Sequence, residues 1–313
     1  MHTTGAEAYF NHQISVPARF GSGLNLEQRT GARQTTMCRF TLYQGPPILL
    51  SSLLIEPAHS LIRQSSNSKE RDEPLNGDGF GVGWYATGLT DEPAVFRSIT
   101  PAWNNRNLHN LARVVASPCI YAHVRAATQS SGVNEANCHP FRYGKLLFMH
   151  NGDIGNFQKI RRRLLETISD EAFGNVYGST DSEHFFAVVI DELLKRHAIT
   201  AMDLAASLDA AIKRVVAIVK QYGDGEPCYL NIAVGDGKNA VISRYTNDPA
   251  SPPESLYWYS GSLYEPCMDS RSAGSEMTVS SEKLTDDPNW HIVPPNHMVV
   301  LGEQQSLQIL PCG

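Results

Sequence analysis

The chain has 313 residues, 42% hydrophobic and 19% charged, with a formal net charge of −6 and a pI near 6.0. That length buries a sizeable core as one large domain or two modest ones, and the acidic balance excludes a nucleic-acid binder, which needs a basic face. No apolar run reaches the roughly 18 residues of a membrane span, and six cysteines without paired spacing point to a reduced, cytoplasmic chain rather than a disulfide scaffold.

Residues 1–36 mix Gly, Thr, Asn, Gln and Arg without periodicity and read as a flexible extension. They lack the apolar stretch of a secretory signal, while Arg19, Arg29 and Arg33 with few acids leave an organelle-targeting segment open. The expected division is a flexible or removable extension over 1–37 and one domain over 38–313. From Cys38 the pattern becomes strand-like: Arg39-Phe-Thr-Leu-Tyr43 alternates with period two. Residues 46–55 are apolar and 65–74 polar, a surface loop. Gly79-Phe-Gly-Val-Gly-Trp-Tyr85 reads as a Gly-interrupted strand, and 119–124 and 146–150 as two more.

Helices follow. Phe157, Ile160, Leu164 and Leu165 predict one over about 156–168, with the basic run 159–163 on its solvent face. A second starts near Thr180, capped by Ser179 or Thr180, and runs to Leu194; a third covers about 201–222. Strands return at 229–234, 240–245, 256–260, 277–280, 297–301 and 307–310, with Asp236-Gly237 as a hairpin signal. Strands flanking a central helical block predict an α+β fold of stacked sheets with helices outside.

Four sets of residues have types that suit amide chemistry. Cys38 is a candidate nucleophile; a thiol needs a base, and an N-terminal α-amine with a pKa of about 7.7–8.0 serves if everything before Cys38 is absent. Asn151-Gly152 ends a strand and offers an amide and a backbone N–H to a developing oxyanion. Arg125, in Ala122-His-Val-Arg-Ala-Ala-Thr128, suits a carboxylate. Asp181, at a helix start, suits an ammonium. Each has an ordinary structural alternative: a buried cysteine, a type I′ turn at Asn-Gly, a surface ion pair, and a first-turn acid favoured by the helix dipole. The glycines at 77, 79, 81 and 83 fit no phosphate-loop register and are read as close packing beside the site. Cys138-His139 point to opposite faces of an extended segment, so no metal or cofactor is expected.

In order, Cys38, Arg125-x-x-Thr128, His139-Pro140, His150-Asn-Gly152 and Thr180-Asp-x-Glu183 resemble the class II glutamine amidotransferases. The resemblance implies a four-layer αββα sandwich of N-terminal-nucleophile type. It makes Cys38 the nucleophile, Asn151 and Gly152 the oxyanion hole, and Arg125 and Asp181 the binders of the substrate α-carboxylate and α-amino group. It gives Thr128 and His139 to the pocket wall. Many relatives carry Trp after the arginine and His after the threonine, where this chain has Ala126 and Gln129. The segments at 57–65, 76–82, 99–105 and 137–141 are similar to the Dug-type amidotransferase-like subunit of glutathione degradation, which works with a metallopeptidase-like partner subunit. The segments at 280–290 and 293–297 are similar to the γ-glutamyl hydrolase of ergothioneine synthesis. The expected activity is γ-glutamyl amide hydrolysis, with no room for an appended synthase domain. A glutaminase subunit feeding ammonia to a partner synthase and a non-catalytic assembly module are the alternatives.

Overall fold

The computed structural model describes residues 38–67, 75–126, 132, 134–196, 200–264, 276–302 and 306–313. The extension 1–37 and Thr128 lie outside the described residues, as do 68–74 of the expected surface loop.

Strand β1 (Arg39–Leu49) sets the plan of the domain. Its alternation sends Phe40 and Leu42 to one face and Tyr43 to the other. Phe40 and Leu42 join a core with Leu147, Met149, Ala233, Ile242 and Val299, whereas Tyr43 joins a second core with Leu50, Leu54, Leu61 and Leu108. Both faces of the strand are therefore buried. The first core is the seam between two antiparallel sheets, and the second lies beneath short helices α1 (Leu50–Leu54), α2 (Leu61–Ser66) and α3 (Arg106–Ala112).

Strands β2 (Phe80–Trp84), β3 (Ala94–Ser98), β4 (Ala116–Val124), β9 (Tyr257–Ser260), β10 (Met277–Ser280) and β11 (His291–Ile292) complete the first sheet, in the order β11-β9-β10-β1-β4-β2-β3. The second sheet contains β5 (Phe141–Tyr143), β6 (Leu146–Asp153), β7 (Tyr229–Gly235), β8 (Ala240–Arg244), β12 (His297–Leu301) and β13 (Leu307–Pro311), in the order β13-β12-β8-β7-β6-β5. Its outer face, with Leu146, Phe148, Ile232 and Val300, packs on α4 (Phe157–Leu165), α5 (Asp170–Phe173), α6 (Asp181–Leu194) and α7 (Ala201–Tyr222). The result is the expected αββα sandwich.

Local chemistry explains the helix starts. The Thr180 side chain accepts from Glu183 N and opens α6, while Thr200 and Asp203 form a reciprocal capping box at α7. Helix α7 is amphipathic: Leu204, Leu208, Ala211, Ile212, Val215 and Val219 share its buried stripe. The helix expected over 156–168 stops at Leu165, where the Thr167 hydroxyl donates to the Leu164 carbonyl at 2.7 Å. Ser169 then caps a separate turn, α5. The hairpin at Asp236-Gly237 joins β7 to β8 as expected. Asn151-Gly152, the stronger turn signal by sequence, lies inside β6, paired residue for residue with Asn231 and Leu230 of β7. Among the described residues no helix is long and apolar enough to cross a membrane.

Candidate active site

Cys38 stands at the head of β1. The register Arg39↔Val124 sets it against the residues that follow β4, and its Sγ lies 3.6 Å from the Ala126 carbonyl oxygen. Burial pushes the Cys38 thiol up; the bond to Ala126 and the charges of Arg125 and Arg39 oppose this, and Asp181 adds to it. A thiol in that setting stays protonated at neutral pH unless a base takes its proton.

Arg125 continues the ladder past the end of β4: its N–H donates to Gly79 O at 2.8 Å, and its carbonyl accepts from Asp78 N at 3.1 Å. The buried guanidinium reaches Asp78 O at 3.5 Å and Gly132 O at 3.4 Å. The glycines beside it permit a close approach. A Cβ on Gly79 would stand 2.7 Å from Cys138 Sγ, and one on Gly81 would stand 2.1 Å from His139 O. Cys138-His139-Pro140 is thus laid across β2, which is why that strand is broken by glycines.

From the second sheet come Asn151 and Gly152. Gly152 has φ +145°, and a Cβ there would lie 1.9 Å from Tyr229 O, so only glycine fits. Asn151 is buried, and its Oδ1 has no partner among the described residues. Asp181 opens α6 and ties back to the end of β6: Oδ2 accepts from Ile154 N at 2.9 Å and Oδ1 from Ser182 N at 2.8 Å. Strand end and helix start are therefore one unit. Arg125 and Asp181 thus act on Cys38 by their charges, and Asp181 is tied to the end of the strand that carries Asn151 and Gly152.

His139 lies in the seam with its ring 4.2 Å from that of His123 and 4.4 Å from that of Phe141. Neither of its ring nitrogens has a partner among the described residues, and burial holds it well below the usual histidine range. Burial also pushes His123 down to about 3, although its Nε2 bonds to His150 O at 3.1 Å.

Several groups that sequence reasoning passed over bear on the site. His150 Nε2 donates to Tyr229 O at 3.0 Å, so its Nδ1 accepts from Ser182 Oγ at 2.9 Å, a tautomer assigned from the partners. This locks the strand carrying Asn151 to the helix carrying Asp181. Glu183 accepts from Tyr177 N at 2.9 Å and Gly178 N at 2.5 Å, shaping the loop before Asp181. Asn137 Oδ1 accepts from Ser179 N at 3.0 Å, joining that loop to the His139 segment. Arg39 pairs with Glu282 behind Cys38 at 2.8 Å. The Thr-Asp-x-Glu pattern carried the signal for Glu183, and His150 stood in plain view before Asn-Gly. Nothing in either short segment joins Arg39 to Glu282.

A profile of the glutamine amidotransferases of class II matches residues 59–247. The chain is similar to a probable glutamine amidotransferase, DUG3, of Saccharomyces cerevisiae, with 39% identity over 87% of this chain and 83% of that one. It is similar at 25% identity to a gamma-glutamyl-hercynylcysteine sulfoxide hydrolase of Mycobacterium tuberculosis, over 84% of this chain and 92% of that one. Among solved structures, a glutamine aminotransferase class-II domain protein from Silicibacter pomeroyi superposes with a TM-score of 0.64 at 27% identity, covering 88% of this chain and 100% of that one.

Proposed function

Because the chain belongs to the class II glutamine amidotransferases, we propose that it hydrolyses a γ-glutamyl amide, glutathione or a related compound, to glutamate and the leaving amine. The observation that carries this reading is the position of Cys38 at the head of β1, with its Sγ 3.6 Å from Ala126 O and Arg125 adjoining. The γ-glutamyl bond named for the Mycobacterium tuberculosis relative supports the same class of substrate.

In this reading the Cys38 α-amine takes the thiol proton and Sγ attacks the γ-carbonyl. The Asn151 side-chain amide and the Gly152 N–H stabilise the oxyanion. The intermediate collapses as the α-ammonium returns its proton to the leaving nitrogen, giving a γ-glutamyl thioester and the free amine. Water, deprotonated by the same α-amine, attacks the thioester and releases glutamate and the thiol. Arg125 holds the substrate α-carboxylate and Asp181 its α-ammonium, while His139 walls the pocket. The base exists only where Cys38 is the first residue, so in this reading the active enzyme begins at Cys38. A metallopeptidase-like subunit is the partner that fits a dipeptide leaving group, because it would consume it.

The test is glutamate release from glutathione and from other γ-glutamyl amides. We expect turnover by enzyme beginning at Cys38, with and without the partner fraction. Cys38→Ala, and enzyme still beginning at Met1, should lose about 10⁴-fold or more. Turnover by the Met1 enzyme would overturn the proposed base, and turnover by Cys38→Ala the nucleophile. Ammonia from glutamine in place of glutamate from glutathione would move the substrate to the glutaminase class.

A further inference from the structure

Arg39 and Glu282 are 4% and 3% exposed. Arg39 Nε donates to Glu282 Oε1 at 2.8 Å, and Nη1 donates to the carbonyl oxygen of Cys38 itself at 3.0 Å. By the alternation of β1, Arg39 lies on the Tyr43 side, behind the cleft, while Cys38 lies on the Phe40 side. Glu282 is brought there because the chain leaving β10 returns along β1. Phe40 N donates to Ser281 Oγ at 3.1 Å, and Ser281 N donates to Phe40 O at 3.0 Å.

A buried ion pair adds little net stability, since desolvation offsets its attraction, and an apolar pair of similar volume often serves a core as well. A fork that also grips the neighbouring carbonyl does something an apolar pair cannot. The Cys38 carbonyl fixes the plane of the peptide joining residues 38 and 39. With that plane held, the rotation about the Cα–C bond aims the amine and Cβ of Cys38 together into the cleft, and because Sγ is anchored 3.6 Å from Ala126 O, it also sets the N–Cα–Cβ–Sγ torsion that brings Sγ to the nitrogen. In a reaction that passes one proton between these two atoms, that rotation is part of the chemistry.

We propose that Arg39, held by Glu282, is a positioning residue for the nucleophile: it clamps the Cys38 carbonyl so that the α-amine and Sγ keep one proton-transfer geometry. Glu282 also balances the guanidinium charge beside the amine. The charged groups around Cys38 are Arg125, Asp181 and Arg39; besides Arg39, Glu282 has beside it His59, Lys283, Asp286 and Asp287, which with Thr285 and Pro288 line a pocket of about 210 Å³. This inference rests on Cys38 being the nucleophile.

The experiment measures kcat, KM and the pH profile of kcat/KM for glutamate release by enzymes beginning at Cys38, with thermal unfolding of each. Arg39→Lys keeps the charge, but a single ammonium nitrogen cannot hold both oxygens as the fork does. We expect kcat to fall about 10²-fold with KM within about twofold. Glu282→Gln keeps an acceptor for Nε and removes the balancing charge. Its kcat should fall less than about tenfold, and the acid limb should move to lower pH by about 0.5 unit, because the unbalanced guanidinium favours the neutral amine. Should Arg39→Lys fail to fold, the near-isosteric Glu282→Gln decides by the limb alone. The proposal is overturned by an Arg39→Lys kcat within about threefold of the parent, by a limb that stays or moves up in Glu282→Gln, or by kcat losses that match the loss of folded protein. Turnover by Cys38→Ala overturns the nucleophile assignment instead, and this inference with it.

Discussion

The two faces of the first sheet at the head of β1 treat their buried polar atoms in opposite ways. Toward the seam, Asn151 Oδ1, His123 Nδ1 and both ring nitrogens of His139 are buried without a partner among the described residues. Toward the rear, Arg39 Nε donates to Glu282 Oε1 at 2.8 Å and Nη1 to the Cys38 carbonyl at 3.0 Å. An unpaired buried donor or acceptor costs about 1–3 kcal/mol, and native proteins carry few. The seam beside Cys38 therefore holds a local cost in stability that the Arg39–Glu282 pair behind it does not, and it holds it where the proposed glutamyl substrate would bring donors and acceptors. The contrast separates residues that wait for a ligand from residues that hold the waiting ones still.

The largest expected effect sharpens this contrast on the seam side. Asn151→Ala removes one of the two proposed oxyanion donors and should lower kcat by about 10²–10³. It also removes an acceptor that is already unpaired, so the stability lost in urea unfolding should stay below about 1 kcal/mol. A kcat within about threefold of the parent would take Asn151 out of the oxyanion hole. A large loss of stability with little loss of rate would show that the side chain is part of the scaffold, and the two faces would no longer differ.

The same contrast governs what could be read from sequence. Cys38, Arg125, Asn151, Gly152 and Asp181 each sit at a strand end or helix start, and a few neighbouring residues define such places. The local pattern also gave β1, β2, β4, β6 to β10, β12 and β13 and the three long helices. The rear was not legible: Arg39 and Glu282 are 243 residues apart, and only the return of the chain along β1 joins them. Helices α1, α2 and α3 run five to seven residues, too short for a helical period to show, and β11 has two residues. Asn-Gly misleads by itself because β7 runs past the pair and holds it in the ladder, so tertiary pairing overrides the turn signal.

A smaller effect tests the cost of the seam by pH. Burial pushes His123 down to about 3 and His139 well below the usual 6.5. Below about pH 6.5 the unfolded chain binds protons on these imidazoles and the folded chain does not. Their contribution is therefore intact above that pH and is lost as the pH falls toward the folded value. For His123 alone, acidification from about pH 6.5 to about pH 5 should cost about 2 kcal/mol. In His123→Gln the difference between unfolding free energies at about pH 7.5 and about pH 5 should shrink by that amount. An unchanged difference would mean that His123 charges freely in the folded protein, and the seam would not carry the cost assigned to it.

The smallest effect belongs to the chain leaving β10, which carries Glu282 to the rear, and has the opposite signature. Phe40 N is buried and donates to Ser281 Oγ at 3.1 Å, while the backbone bond from Ser281 N to Phe40 O at 3.0 Å is independent of the side chain. Ser281→Ala therefore leaves one buried N–H unpaired but keeps the chain leaving β10 alongside β1, and with it Glu282 against Arg39. We expect a loss of about 1–2 kcal/mol in urea unfolding, with kcat within about twofold of the parent. That is the reverse of Asn151→Ala, where rate falls and stability holds. A Ser281→Ala enzyme that lost rate as Asn151→Ala does, with Arg39 and Glu282 intact, would mean that the hydroxyl itself acts in the cleft. The division of labour between the two faces of β1 would then fail at the strand where it is drawn.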